Sequence, residues 1–328
     1  MCDVGILRFQ IGILNNWLKV KYLLSVLSDK MAALNIQKIS AFDSPGLQPY
    51  ATMKRPLEHE RQGIFVAEGT KVVRRLLESR FTVVSVVLPD KWLDEFRPLI
   101  EARLEPITVY LAEKRLLETL TGFSMFQGVL AVGKIPSPAT LDEILSNNQK
   151  PLLLVAVDAL TNAENLGALV RNCVAFGVQA LIVGETSSSP FLRRAVRNSM
   201  GTILQLPVIE LANRRDEFYK SPMPQPKSGT RVTRPSETLA QTLCHLRQRG
   251  VRCIAAHPHT DKKILSQADL SGDCCLVFGS EGDGISPAVL AACDEAVAIP
   301  MPPTVDSLNV GAAAAVFLYE VSRQRNKT

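Results

Sequence analysis

Three stretches hold more hydrogen-bonding and charged side chains than turns require. The first, LVAVDALTNAENLGALVRNCVAFG at 154–177, ends an apolar run in Asp158, Asn162, Glu164 and Asn165, then opens a helix-like segment carrying Arg171. The second, VFGSEGDGISP at 277–287, follows Phe278 with Gly279, Ser280, Glu281, Gly282, Asp283 and Gly284. Its glycines permit a sharp turn and close approach to a ligand. The acids at 281 and 283 disfavour phosphate and suit a cationic or hydroxyl-rich ligand, and neither a Walker pattern nor GxGxxG is present. The third, AIPMPPTVDSLNVGAAAAVFLYE at 298–320, is held extended by prolines and presents Ser307 and Asn309 before an alanine-rich helix. Ser307 is also a candidate helix N-cap.

The elements around these loops are those of an α/β protein. From about residue 60, Val- and Ile-rich runs such as GIFVAEG, FTVVSVVLP and GVLAVGKI alternate with stretches of helical apolar spacing. We divide the chain into an N-terminal extension at 1–30, a small α/β module at 31–135, a linker at 136–150 around one short helix, and a second α/β domain at 151–328. The near-continuous apolar strands of the second domain, among them LLLVAV, QALIVG and CCLVFG, predict a mainly parallel sheet covered on both faces. Ligands of such sheets bind beyond the carboxyl ends of the strands, where all three polar loops fall.

Composition narrows the function classes. The 328 residues are 46% apolar and 21% charged, enough for two buried cores, and the formal charge of +5 is only a mild lean toward anionic partners. Most of that lean sits in NRRDEFYKSPMPQPKSGTRVTRPS at 213–236, which reads as an exposed basic insertion. The seven cysteines show no CxxC spacing and read as small core residues in a reducing compartment. The pair His257 and His259 lacks partners at ligand spacing, so no metal is expected. Residues 1–30 contain no run long enough to span a membrane, and a cytoplasmic location is expected, with organelle targeting by this segment the lesser reading.

In order and spacing, NAENLGALVRNCVAFG, FGSEGDGIS and IPMPPTVDSLNVGAAAAVFLYE resemble the three motifs of the SpoU/TrmH branch of the SPOUT RNA methyltransferases. RRAVRNSMGTILQLPV resembles the segment between the first two motifs. FVAEGTKVVRRLLES and FSMFQGVLAV resemble the ribosomal-protein-like RNA-binding module that precedes the catalytic domain in many members. The resemblance implies a C-terminal SPOUT fold with a deep trefoil knot, a homodimer, and S-adenosylmethionine-dependent methylation of a ribose 2'-hydroxyl in structured RNA. It favours ribosomal RNA over transfer RNA, because tRNA-specific relatives often lack the N-terminal module. It also implies that Phe278, Gly279, Ser280, Glu281, Gly282, Gly284, Ile299, Pro300, Met301, Ser307, Leu308 and Asn309 surround the cofactor, and that Asn165, Arg171, Glu281 and Asn309 serve catalysis.

The chemistry fits that inventory. A sulfonium donor needs neither metal nor general acid, so the task is chiefly to align the 2'-oxygen with the methyl group. A guanidinium does not act easily as a base, so Arg171 is assigned to clamping phosphate and stabilising negative charge on the oxygen. Arg193, Arg194 and Arg197 lie on one helix near the site and are assigned to RNA phosphates. Asn162 and Ala163 depart from the Asp-Pro or Asn-Pro of the family pattern, and Gly311 stands where serine is common. The competing readings are a non-catalytic RNA-binding or assembly protein on the same fold, and a nucleotide-binding α/β enzyme using 277–287.

Overall fold

Short Val- and Leu-rich runs supply most strands of two sheets, and strands and helices alternate along the chain. The computed structural model describes residues 35–121, 128–211, 237–258 and 263–326. The extension at 1–30, the basic insertion at 213–236, residues 123–127 of FSMFQGVLAV and His259 lie outside them.

The first sheet holds β1 (Asn35–Ile39), β2 (Ile64–Glu68), β3 (Val83–Leu88), β4 (Thr108–Ala112) and β5 (Leu130–Lys134) in the order β1-β4-β3-β5-β2. Strands β1, β4 and β3 run parallel, while β5 is antiparallel to both β3 and β2. The helices between them are α1 (Pro56–Gln62), α2 (Thr70–Glu78), α3 (Leu93–Glu101) and α4 (Lys114–Thr121). In α2 the pairs Val72–Val73 and Leu76–Leu77 make one buried stripe, which is why so short a segment is helical here.

The second sheet is parallel throughout: β6 (Leu153–Val157), β7 (Ala180–Val183), β8 (Val208–Glu210), β9 (Arg252–Ala256), β10 (Cys274–Phe278) and β11 (Glu295–Val297), in the order β11-β9-β10-β6-β7-β8. Its helices are α5 (Leu141–Asn147), α6 (Ala163–Ala175), α7 (Arg193–Asn198), α8 (Leu239–Gln248), α9 (Pro287–Ala292) and α10 (Val310–Arg325). The chain builds outward from β6 to β8, then continues on the other side of β6, so the order reverses between β6 and β10. A crevice opens at such a reversal, beyond the carboxyl ends of the two strands. Every residue of β6 and β10 is buried, and the register Val157 beside Phe278 sets the loops that follow side by side.

Two apolar layers cover this sheet. One contains Ile144, Leu243, Leu246 and Val289. The other, with Leu166, Phe191, Ile203 and Phe317, is continuous with Phe65, Leu76 and Val86 of the first sheet. The segment expected to be a linker is fastened down. Thr140 and Glu143 form a capping box on α5, Ile144 is buried, and the Ala139 N–H donates to the Val208 carbonyl at 3.1 Å. The final helix starts at Val310, not at Ser307, because Asn309 supplies the cap.

Candidate active site

At the end of β6, Asp158 is buried and its Oδ2 accepts the Ser286 N–H at 2.8 Å, tying the loop after β6 to the one after β10. The Asp158 N–H donates to the Phe278 carbonyl at 2.8 Å, and Ala159 sits at φ 54, in the left-handed region that costs a non-glycine residue energy. Asn162 then caps α6, its Oδ1 accepting the Glu164 N–H at 2.9 Å and the Asn165 N–H at 3.2 Å.

After β10 the loop closes on itself. Ser280 and Gly284 exchange backbone hydrogen bonds of 2.9 and 3.2 Å, and Gly284 turns at φ 69. A Cβ on Gly279 would lie 2.1 Å from the Gly284 carbonyl carbon, so only glycine closes this turn. A Cβ on Gly282 would meet nothing within 4 Å, so the tip borders open space.

The three loops converge on one carboxylate. Glu281 Oε1 accepts the Asn165 side-chain N–H and, at 3.1 Å, Asn309 Nδ2. Asn309 Nδ2 also donates to Asn165 Oδ1 at 3.0 Å, while its Oδ1 caps α10 by accepting the Gly311 N–H at 2.9 Å. All four amide-group atoms of the two asparagines' shared network point within the cluster or at a helix end, so their orientations are mutually determined. Segment 302–309 is exposed and borders this cluster, and Pro300 is exposed while Ile299 and Met301 are half-buried.

Arg171 lies on the exposed side of α6, opposite Leu166, Leu169, Val170 and Cys173. It stands ~9 Å along the helix and ~120° around it from Asn165, and makes no hydrogen bond with the asparagine–glutamate cluster. Its guanidinium is therefore presented outward.

Two expectations change. Phe278 is 2% exposed and packs edge-on against Phe317, with centroids 5.8 Å apart, so its side chain belongs to the core and does not face a ligand. Arg193 and Arg197 do not reach freely toward RNA, because both bind Glu68 of the first sheet, Arg197 Nη1 at 2.7 Å from Oε1. Of the three arginines only Arg194 is exposed without such a pair. Glu68 itself was legible only as an acid ending the strand FVAE, and Asp158 only as a polar residue after an apolar run. Ser307 is exposed and makes no cap. Among the described residues no group of three side chains converges as a metal site, and no helix is long and apolar enough to cross a membrane.

Comparison with known proteins decides the family. Residues 152–224 and 227–319 match the model of the SpoU rRNA methylase family, which takes in all three loops. The chain belongs to that family. SpoU relatives extend the similarity to the N-terminal sheet. An uncharacterized tRNA/rRNA methyltransferase of Mycobacterium tuberculosis is 30% identical over 298 residues, 88% of this chain and 93% of the relative. A 23S rRNA (guanosine-2'-O-)-methyltransferase of Photorhabdus laumondii is 32% identical over 266 residues, 79% of this chain and 97% of the relative. The fold is shared with an AdoMet-bound rRNA methyltransferase from Sinorhizobium meliloti, at a TM-score of 0.68 and 20% identity over 88% of this chain and 98% of the other. As a SpoU methylase the protein is an enzyme of RNA, and the reading as an α/β nucleotide enzyme falls away.

Proposed function

We propose that the protein transfers a methyl group from S-adenosylmethionine to a ribose 2'-hydroxyl of ribosomal RNA. The observation that carries this reading is the meeting of Asn165, Glu281 and Asn309 at the crevice between β6 and β10. The names of relatives such as the Photorhabdus laumondii enzyme support ribose 2'-O-methylation of large-subunit RNA.

The residues present fit the donor. The turn at 279–284 leaves no room for a Cβ at Gly279 yet borders open space at Gly282, and Glu281 places a carboxylate on its rim, suited to a cationic, hydroxyl-bearing molecule. Gly279, Ser280, Gly282 and Gly284 would hold it mainly through backbone groups, with Ile299, Pro300, Met301 and Leu308 alongside. When bound, the donor supplies an activated methyl group whose leaving group is a neutral thioether. Asn165 and Asn309, fixed by Glu281, then orient the ribose, and Arg171 holds the adjacent phosphate and stabilises negative charge on the 2'-oxygen. A guanidinium is a donor only, so Arg171 is not the base.

Three further elements belong to this reading. Residues 31–135 form the RNA-binding module, and the segment before α10 threads a trefoil knot, an exception to the rule that chains do not pass through loops. The chain works as a cytoplasmic homodimer. In support of the dimer, Val316 and Tyr319 lie 40% and 60% exposed on α10, with Leu308 39% exposed just before it.

Calorimetric titration of the full chain with S-adenosylmethionine, and separately with NAD and ATP, tests the donor. Selective binding of S-adenosylmethionine at about one site per chain is expected. Binding of NAD or ATP alone would contradict it.

A further inference from the structure

We propose that Glu68 is a positioning residue for methyl transfer: clasped by Arg193 and Arg197, it fixes the N-terminal module against the helix that carries Asn165 and Arg171. The inference rests on the functional reading above in taking that module to hold the RNA.

Glu68 ends β2, the edge strand of the first sheet, and is 7% exposed. Both of its carboxylate oxygens are taken, Oε2 by Arg193 Nη1 and Oε1 by Arg197 Nη1 at 2.7 Å. The two arginines are four residues apart and share a face of α7, so together they close on one carboxylate. The Arg193 side chain is only 14% exposed. Sliding the modules past one another would leave Glu68 or Arg193 covered but without its partner, which an apolar contact alone would not penalise so sharply. The clasp therefore selects one relative orientation, where sliding apolar surfaces would allow several.

The flanking contacts share this orientation. Phe191, two residues before Arg193, packs against both Phe65 and Phe81, with centroids 5.7 and 6.0 Å away. Just beyond α7, Arg75 Nη1 donates to the Met200 carbonyl at 2.6 Å.

On its other side α7 is pressed against α6. A Cβ on Gly167 would lie 2.5 Å from the Ala195 carbonyl oxygen and 2.7 Å from Asn198 Cβ, so the two helices touch through backbone. Gly167 lies between Asn165 and Arg171 on the same helix. The path from the first sheet to the reactive side chains thus runs through Glu68, one short helix and one glycine contact. RNA bound by the N-terminal module is delivered to Arg171 at a set distance, and alignment is what this reaction chiefly needs.

The test compares the full chain with Glu68→Gln, which keeps the shape and removes the charge. Three quantities are measured: small-angle scattering without RNA, S-adenosylmethionine affinity, and steady-state transfer to unmodified, in vitro transcribed large-subunit rRNA. The expected result is a larger maximum dimension, donor affinity within about twofold of wild type, and a transfer rate at saturating RNA lowered about tenfold or more, with KM for RNA little changed. Arg197→Gln, at a position 53% exposed, is the milder variant should Glu68→Gln fold poorly, and gives the same pattern at smaller amplitude. Adding it to Glu68→Gln causes little further loss, since the residues act as a unit. Unchanged scattering and rate in both variants would overturn the proposal, as would a loss confined to donor affinity and folded yield. If wild-type protein transfers no methyl group to the RNA, the functional reading fails, and the scattering alone decides the clasp.

Discussion

Asn309 donates from Nδ2 to Asn165 Oδ1 at 3.0 Å, across 144 residues of chain, and the same Nδ2 reaches Glu281 Oε1 at 3.1 Å. Asn309 also caps α10 through its Oδ1, so one side chain both starts a helix and closes the site.

These two roles separate by substitution. Asn309→Ala loses the cap, at a cost of about 1 kcal/mol in stability, and lowers transfer by roughly a hundredfold. Asn309→Asp keeps an effective cap but sets a second carboxylate against Glu281, so thermal melting recovers only part of the loss seen in Asn309→Ala while activity does not recover. Activity that recovers together with stability in Asn309→Asp would show that only the cap matters.

The glycines of the loop after β10 give a second contrast. Gly279→Ala drives a Cβ into the Gly284 backbone and is expected to cost about 1–3 kcal/mol and most of the donor affinity. Gly282→Ala meets no protein atom, so its stability stays within about 0.5 kcal/mol while donor affinity falls. Melting curves and calorimetry on the pair distinguish a fold position from a ligand position.

Arg171→Ala is expected to leave donor affinity nearly unchanged and to lower transfer by about a hundredfold or more, because the side chain faces outward from the cluster that holds the loops together. Arg171→Lys restores little, since a point charge does not reproduce a two-pronged hold on phosphate. A large loss of S-adenosylmethionine binding in Arg171→Ala would contradict the role.

Asp273 gives the protein a defined acid limb. Burial would raise its carboxyl, but the Lys150 ammonium at 2.8 Å and the Leu152 N–H at 2.8 Å outweigh that and hold it below its ordinary value. With the folded value depressed, its contribution to stability is present above the unfolded value of about 4 and is lost as pH falls through the folded one. Asp273→Asn should therefore be less stable at neutral pH and should lose less stability between about pH 5 and pH 3 than wild type. Denaturant melts at a series of pH values check the sign.

The apolar face of α10 is tested by association. Ala312, Val316 and Tyr319 recur at helical spacing on the exposed side, so Tyr319→Glu should convert a dimer to a monomer in sedimentation equilibrium without unfolding the chain. An unchanged mass would remove this face from the interface.

Much of the parallel sheet was legible because β6, β7 and β10 are short runs buried on both sides, which only a covered sheet accommodates. The three polar loops were legible as site material for a related reason, since each follows such a strand or opens a helix. Local pattern could not show which partners those side chains choose. Arg193 and Arg197 look like a basic helix face until Glu68, 125 and 129 residues earlier, is folded beneath them. Ser307 and Asn309 are both reasonable caps by residue type, and the choice falls to Asn309 because it alone also reaches Asn165 and Glu281. Phe278 lies next to the site in sequence, but the alternation of side chains along β10 turns it into the core against Phe317.

The most direct measurement is incubation of the purified full chain with unmodified, in vitro transcribed large-subunit rRNA and S-adenosylmethionine labelled in its methyl group, followed by alkaline hydrolysis of the RNA. A methylated 2'-oxygen cannot attack its neighbouring phosphate, so the predicted result is label in alkali-resistant dinucleotides, lowered about a hundredfold or more by Arg171→Ala. Label recovered only in mononucleotides would mean methylation of a base, and either that result or an absence of label would contradict ribose 2'-O-methylation by this site.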